Sequence, residues 1–251
     1  MTPFAPVLDQ VASRISGTET CWRTEPSRWA YCLREAVGLM RPDWVITHFD
    51  PQAEADAVTA SVTASAAVID VNLARTPLLA AALELTTVLA GLFPAQPVAA
   101  SVTGPGALSQ ILAQRFSTSD EDLPDLIADV GDLLGVLVGS YAAAGATRIL
   151  VWESSETDLL DDLVDAHAPM LRRLHTMGVS AVLCGAERLD GLDYAHHVVA
   201  GGGLATAADF GTVPIDRLWP TLTDGYQGPI VTDGPIPSDA DLRVLAAAAN
   251  R

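Results

Sequence analysis

"TRILVWESSETDLLDDLVDAHAPMLRRLHTMGVSAVLCG" occupies residues 147–185, and its reading decides the fold. A β-branched apolar run, 147–152, gives way to a polar turn. A helical stretch follows, acidic at its start, with arginines and a histidine near its end, and it stops at Gly178. A second apolar run, 180–184, closes on Cys184 and Gly185. The unit is strand–helix–strand, and both short runs are apolar almost throughout, as strands of a parallel sheet are when both faces are covered. Pro169 is expected to kink or divide the helix between them.

The alternation extends outward in both directions. Apolar runs at 43–49 ("DWVITHF"), 97–103 ("PVAASVT"), 196–200 ("HHVVA") and 229–232 ("PIVT") predict further strands. The segment 119–145, with acidic residues and Pro124 in its first turns and Gly145 at its stop, predicts a helix. "PLLAAALELTTVLAGLF" (77–93) contains Glu84 and two threonines and is slightly short for a membrane span, so it predicts a buried helix. Repeated βα units without a linker predict one α/β domain over residues 1–251, a (β/α)8 TIM-type barrel. Residues 1–42 read instead as an atypical helical segment, "VLDQVASRIS" and "EPSRWAYCLREAVGLM", with no clear first strand. The barrel is therefore expected to be distorted or shortened at its N-terminal end. An open doubly wound sheet would need an early glycine-rich phosphate loop. The one triple glycine, in "GGGLATAADFG" (201–211), comes late, lacks the dinucleotide pattern and reads as a turn needing unusual backbone angles.

Composition bounds the function. With 49% hydrophobic and 18% charged residues, the 251-residue chain can bury a sizeable core. The 31 acidic residues against 14 basic ones give a net charge of −17, a field that repels phosphate backbones and anionic lipid, so nucleic acid and membrane surfaces are excluded as partners. "MTPFAPVLDQ" has no basic cluster followed by an apolar core and does not read as a secretory signal. Three widely spread cysteines, Cys21, Cys32 and Cys184, suggest no disulfide framework, and the cytoplasm is the expected compartment.

Several stretches, taken in order, resemble the uroporphyrinogen decarboxylase-like superfamily, which includes corrinoid-dependent methyltransferases and is similar in barrel design to cobalamin-independent methionine synthase. They are "DWVITHFDP", "VTGPGALSQIL", "AAAGATRILVWES", "APMLRRLHTMGVSAVLCG" and "PIVTDGPIPSDADLRVLAAAA", together spanning roughly residues 30–251. The resemblance implies a distorted barrel with its pocket at the C-terminal ends of the strands. The departures are specific. Decarboxylases of this family grip substrate carboxylates with an arginine-rich loop after the first strand, and that loop has no counterpart in the helical reading of residues 1–42. The methyltransferase branch holds zinc with a histidine, a cysteine two residues later and a distant cysteine. Here Val182 takes the histidine position, Cys184 matches the first cysteine, and Thr232 and Asp233 stand where the second is expected.

The candidate catalytic residues are His48, Asp50 and Glu153. "THFD" puts His48 and Asp50 at i and i+2, on one side of an extended segment at the pocket rim, where a histidine and a carboxylate supply acid–base chemistry. By resemblance, Asp50 matches the aspartate that the decarboxylases set near the pyrrole nitrogens. The plain alternative is that Asp50 caps the next helix. Glu153 ends its strand at an equivalent position, with capping by "ESSETD" as its alternative. Thr103 and Gly104, Asp233 and Tyr141 are candidate substrate contacts, and Tyr141 also reads as core. Cys184 is either a small packed hydrophobe or, with Glu153, a metal ligand; Asp233 and His48 would complete such a zinc site.

The favoured expectation is an enzyme that transfers a methyl or alkyl group, or carries out a related lyase reaction, on a small organic substrate, with zinc as cofactor or a corrinoid as methyl donor. The alternative is a catalytically degenerate barrel that binds a protein partner, a second copy of itself as a homodimer, or a corrinoid or tetrapyrrole. Porphyrinogen decarboxylation ranks third, since an acidic chain without the arginine loop would meet a substrate bearing many carboxylates.

Overall fold

The protein was analysed as a computed structural model, which describes residues 2–17, 20–153, 160–185, 191–210 and 212–247. The strands are β1 (Phe4–Val7), β2 (Val45–Ile46), β3 (Val98–Thr103), β4 (Arg148–Trp152), β5 (Ser180–Cys184), β6 (His196–Ala200), β7 (Gly203–Ala205) and β8 (Ile230–Pro235). Each pairs in parallel with its neighbour in the order β1-β8-β7-β6-β5-β4-β3-β2, which is chain order wrapped once around. The remaining gap, between β1 and β2, is spanned at one point. There Asp43 N–H donates to Phe4 O at 2.7 Å, and Phe4 N–H donates to the Asp43 carboxylate at 2.8 Å. The architecture is a (β/α)8 barrel.

The N-terminal segment is thus distorted rather than shortened. Its first strand is "FAPV", four buried residues that pair with β8. Pro6 cannot donate to a ladder, and the register shifts between Ala5 and Val7, so the strand is short, irregular and lacks the signals of a regular run. Helices α1 (Asp9–Ser16) and α2 (Pro26–Met40) follow it.

The other βα units carry α3 (Ala53–Thr59) and α4 (Pro77–Leu92) after β2, α5 (Pro105–Phe116) and α6 (Leu123–Ala143) after β3, and α7 (Leu160–Thr176) after β4. Helices α8 (Ile215–Thr223) and α9 (Leu242–Ala247) follow β7 and β8. Helix α4 is the apolar helix expected over 77–93, and α7 continues through Pro169 without dividing. Between β6 and β7 the chain turns tightly instead of forming a helix, with Gly201 and Gly203 at positive φ, which places the triple glycine in a strand-to-strand turn. Among the described residues, Asp120–Ala143 is long and apolar enough to cross a membrane, and 61% of its apolar window is buried in the fold.

Strand alternation sorts the side chains into two cores. Ala5, Val7, Ile46, Leu150, Val182, Cys184, Val198 and Val231 fill the barrel, topped by Phe49 and Trp152. Ile149, Val151 and Leu183 face outward into the larger core beneath the helices. The register aligns Thr103, Trp152 and Cys184 at one level at the C-terminal mouth.

Candidate functional site

Cys184 is the last residue of β5, points into the barrel and is fully buried. Burial pushes its thiol far up from the ordinary value. A thiol so disposed packs as a small apolar side chain.

Glu153 follows Trp152 and therefore faces the opposite way, out of the barrel. Its carboxylate accepts hydrogen bonds from Gly106 N–H at 3.0 Å and Ala107 N–H at 2.6 Å, both in the first turn of α5. His167 Nε2, on α7, lies 3.0 Å away, and His167 Nδ1 pairs in turn with the Tyr194 hydroxyl. Gly104 and Gly106 make room for this carboxylate: a Cβ at Gly104 would stand 2.4 Å from its Oε2, and one at Gly106 would stand 2.9 Å from its Oε1. The expectation that Glu153 and Cys184 share a metal fails here, because neighbouring strands place them in different layers. Glu153 is directed away from the mouth, into the layer between β4, α5 and α7, and Gly104 leaves space for its carboxylate. The "ESSETD" alternative lies outside the described residues.

Asp233 is exposed at the end of β8, and its Oδ1 accepts the Ala207 N–H at 2.8 Å, a tie between consecutive βα units. Thr232 Oγ1 accepts the Val7 N–H at 2.9 Å. With Val182 apolar, Thr232 engaged and the Cys184 thiol sealed, the residues at the family's zinc positions do not fit that ion. No group of three histidine, cysteine, aspartate or glutamate side chains suited to a metal occurs among the described residues.

The end of β2 has a different character. His48 is 1% exposed; its Nδ1 pairs with Thr47 Oγ1 at 2.8 Å, and its ring lies 4.6 Å from that of Trp22. Burial pushes its pKa down to about 4, with Arg23 adding to the effect and Asp50 opposing it, so the imidazole is neutral at pH 7. Asp50 does not bond to it. Arg23 takes Asp50 Oδ2 through Nε at 2.8 Å and also bonds Asp56, while Asp50 Oδ1 accepts Gln52 N–H at 3.2 Å in the turn that leads into α3. Asp50 thus holds the turn before α3 and an ion pair, and does not cap the helix itself, whose N-cap is Gln52. Arg23 comes from the α1–α2 connection, so the region after the first strand does deliver an arginine to the rim. The guanidinium also lies 5.7 Å from the Trp22 ring centroid.

Two carboxyls near the end of β2 escaped the sequence reading. Asp9, at the start of α1, accepts Phe49 N–H at 3.2 Å through Oδ2, and its Oδ1 is enclosed. Burial raises its pKa to about 7 against the hydrogen bonds of Phe49 and Trp29, with the Asp50 charge adding to the rise. Glu54, in the first turn of α3, is 1% exposed, and Thr103 Oγ1 donates to its Oε2 at 2.9 Å. Burial raises Glu54 to about 7 as well. Thr103 thus positions a carboxyl. Tyr141 is wholly buried on α6, with its ring 6.3 Å from His48, and belongs to the core behind β2 rather than to the wall of the mouth. At the mouth itself, Phe49 and Trp152 meet edge to face at 4.9 Å over a narrow crevice lined also by Asp50, Ser101 and Thr103.

No protein-family profile matches the chain, and no curated protein matches it in sequence. Among solved structures it is similar to a methyltransferase from Methanosarcina mazei, with TM-score 0.78 and 12% identity over 99% of this chain and 92% of that one. It is also similar to a B12-independent methionine synthase from Shewanella sp. W3-18-1, in complex with selenomethionine, with TM-score 0.53 and 12% identity over 100% and 97% of the two chains. The likeness is one of fold: the chain shares a (β/α)8 barrel with both.

Proposed function

We propose that this barrel is an enzyme that moves a methyl or larger alkyl group, or carries out a related lyase reaction, on a small organic substrate. Asp9, His48 and Asp50 supply its acid–base chemistry, and no step is assigned to zinc or a corrinoid. One observation carries the reading: an enclosed carboxyl held near pH 7 and a neutral imidazole flank the end of the same strand, beside a mouth walled by two aromatic rings. An acid–base group works best when its pKa lies near the operating pH, and burial has moved Asp9 there. The Asp9 carboxyl gives its proton to a leaving group or takes one from an acceptor. Neutral His48 keeps a nitrogen lone pair within the same cluster. Asp50, fixed by Arg23, sets the local field. The two fold neighbours, a methyltransferase and a methionine synthase, support group transfer as the reaction class.

A second reading, a barrel that binds a small ligand or partner without turnover, is favoured by the sealed Cys184 and the apolar Val182 at the positions where the methyltransferase branch activates thiols. A polycarboxylate substrate suits the site poorly, because Arg23 is committed to Asp50 and Asp56.

The test is turnover by the purified protein of a panel of methylated amines, thioethers and methoxylated aromatics with a thiol acceptor, followed by NMR. Loss of methyl signal that falls at least tenfold in folded Asp9→Asn and His48→Ala supports the enzyme. No turnover of any compound, with ligand binding intact in wild type and variants alike, supports the second reading.

A further inference from the structure

Native proteins leave few buried polar atoms without a hydrogen bond, and each exception asks for a cause. Among the described residues, His48 Nε2, Glu54 Oε1 and the Tyr141 hydroxyl are buried and have no protein partner. They come from three elements, the end of β2, the first turn of α3 and the length of α6, and each side chain is 1% exposed or less. They also lie together: the His48 and Tyr141 rings are 6.3 Å apart, and the Glu54 charge acts on the Tyr141 phenol. The remaining polar atoms of two of these groups are engaged, His48 Nδ1 by Thr47 and Glu54 Oε2 by Thr103, so the orphaned atoms are what each has left to offer.

We propose that these three atoms form one buried binding site for a single uncharged hydrogen-bonding molecule of water's size, which bridges Glu54, His48 and Tyr141. An internal water typically makes about three hydrogen bonds to otherwise unsatisfied groups, which is the number on offer. The chemistry of the site selects a neutral ligand. An anion would face Glu54 with Asp50 close by, and a cation would require Glu54 to be ionised although burial favours its neutral form. The bridging molecule meets each group on its own terms, since it can accept from a phenol or carboxyl and donate to, or accept from, whichever face the imidazole tautomer presents. The site shares His48 with the reaction proposed above, but it is defined by the fold and needs no substrate, so its test is stability and not turnover.

The decisive experiment is thermal unfolding of Tyr141→Phe, which removes the hydroxyl alone. A phenol bound to a bridging molecule is missed, and the melting temperature falls by roughly 2–6 °C. A phenol stranded without a partner is better removed, so an unchanged or raised melting temperature overturns the proposal. The double variant with Glu54→Gln adds a second reading. If both side chains hold the same molecule, the two losses are non-additive, whereas independent losses overturn a shared site. Should Glu54→Gln not fold, a high-resolution crystal structure of the wild type decides. Density about 2.7–3.2 Å from all three atoms is expected, and its absence overturns the proposal.

Discussion

Glu54 and Glu153 are both glutamates buried at the C-terminal end of the barrel, and they do opposite things. Glu153 has two backbone donors from the first turn of α5 and the His167 ring, so its carboxylate is a joint between β4, α5 and α7. Glu54 is buried as well, yet its one side-chain donor is the Thr103 hydroxyl, and Oε1 is left over. The number of donors that reach the carboxylate, not its depth, separates an acid that holds a fold together from one that stores a proton.

The largest effect expected from this contrast is on stability. Glu153→Ala strands two α5 N–H groups and His167 in a dry layer and should cost about 3–5 kcal/mol in urea unfolding. Glu54→Gln, which keeps the Thr103 contact, should cost about 1 kcal/mol or less. Equal losses would break the comparison. The next effect is steric. Gly104→Ala drives a Cβ to 2.4 Å from the Glu153 carboxylate, which three hydrogen bonds hold in place, and about 2–3 kcal/mol should be lost. If Gly104→Ala costs nothing, the joint is looser than its geometry implies.

A smaller effect separates the two acids by pH. Asp9 and Glu54 have folded pKa values raised to about 7 from ordinary values of 3.8 and 4.5. The neutral form is therefore the one the fold prefers. The stability associated with it is fully present below the ordinary values, declines as pH rises toward 7 and stays lost above. His48 works in the other direction: with its pKa lowered from 6.5 to about 4, its contribution is present above 6.5 and lost as pH falls through 4. The windows overlap and the two acids outweigh the one histidine, so these three groups together should make stability decline between about pH 4 and 7. Glu54→Gln should flatten the decline between about pH 4.5 and 7 by on the order of 3 kcal/mol. An unchanged slope in that variant would place the Glu54 proton elsewhere.

Much of the barrel was legible. The apolar runs at 97–103, 147–152 and 180–184 coincide within a residue with β3, β4 and β5, because strands buried on both faces carry their signal in composition alone. Two strands were hidden: β1, four residues interrupted by Pro6, and β7, three residues inside a glycine turn. The site was half legible. His48 stood out as a polar residue ending an apolar strand. Asp9 and Glu54 looked like ordinary first-turn acids of α1 and α3, and their environments are made by residues 40 or more positions away, Phe49 and Thr103. Glu153 was misassigned despite a signal within reach. With Leu150 and Trp152 facing inward, a period of two already sends residue 153 outward.

The smallest stability effect belongs to Arg23→Ala, and it sharpens the comparison in another way. The Arg23–Asp50 pair is part-exposed, with side chains 37% and 16% accessible, and exposed pairs contribute about 0.2–1 kcal/mol, so unfolding should hardly move. The field at His48 should move. Arg23 disfavours the imidazolium while Asp50 favours it, and losing the guanidinium removes the first influence and leaves the second unopposed. The His48 pKa should therefore rise from about 4 toward its ordinary 6.5 in an NMR titration of the ring protons. The Glu153–His167 pair is built into a different layer behind β4, and the His167 ring resonances should keep their wild-type positions. Movement of His48 alone would show that the β2 end carries a tunable electrostatic field. Movement of both histidines would mean that Arg23 acts by loosening the barrel, and the division between a working end and a structural joint would have to be withdrawn.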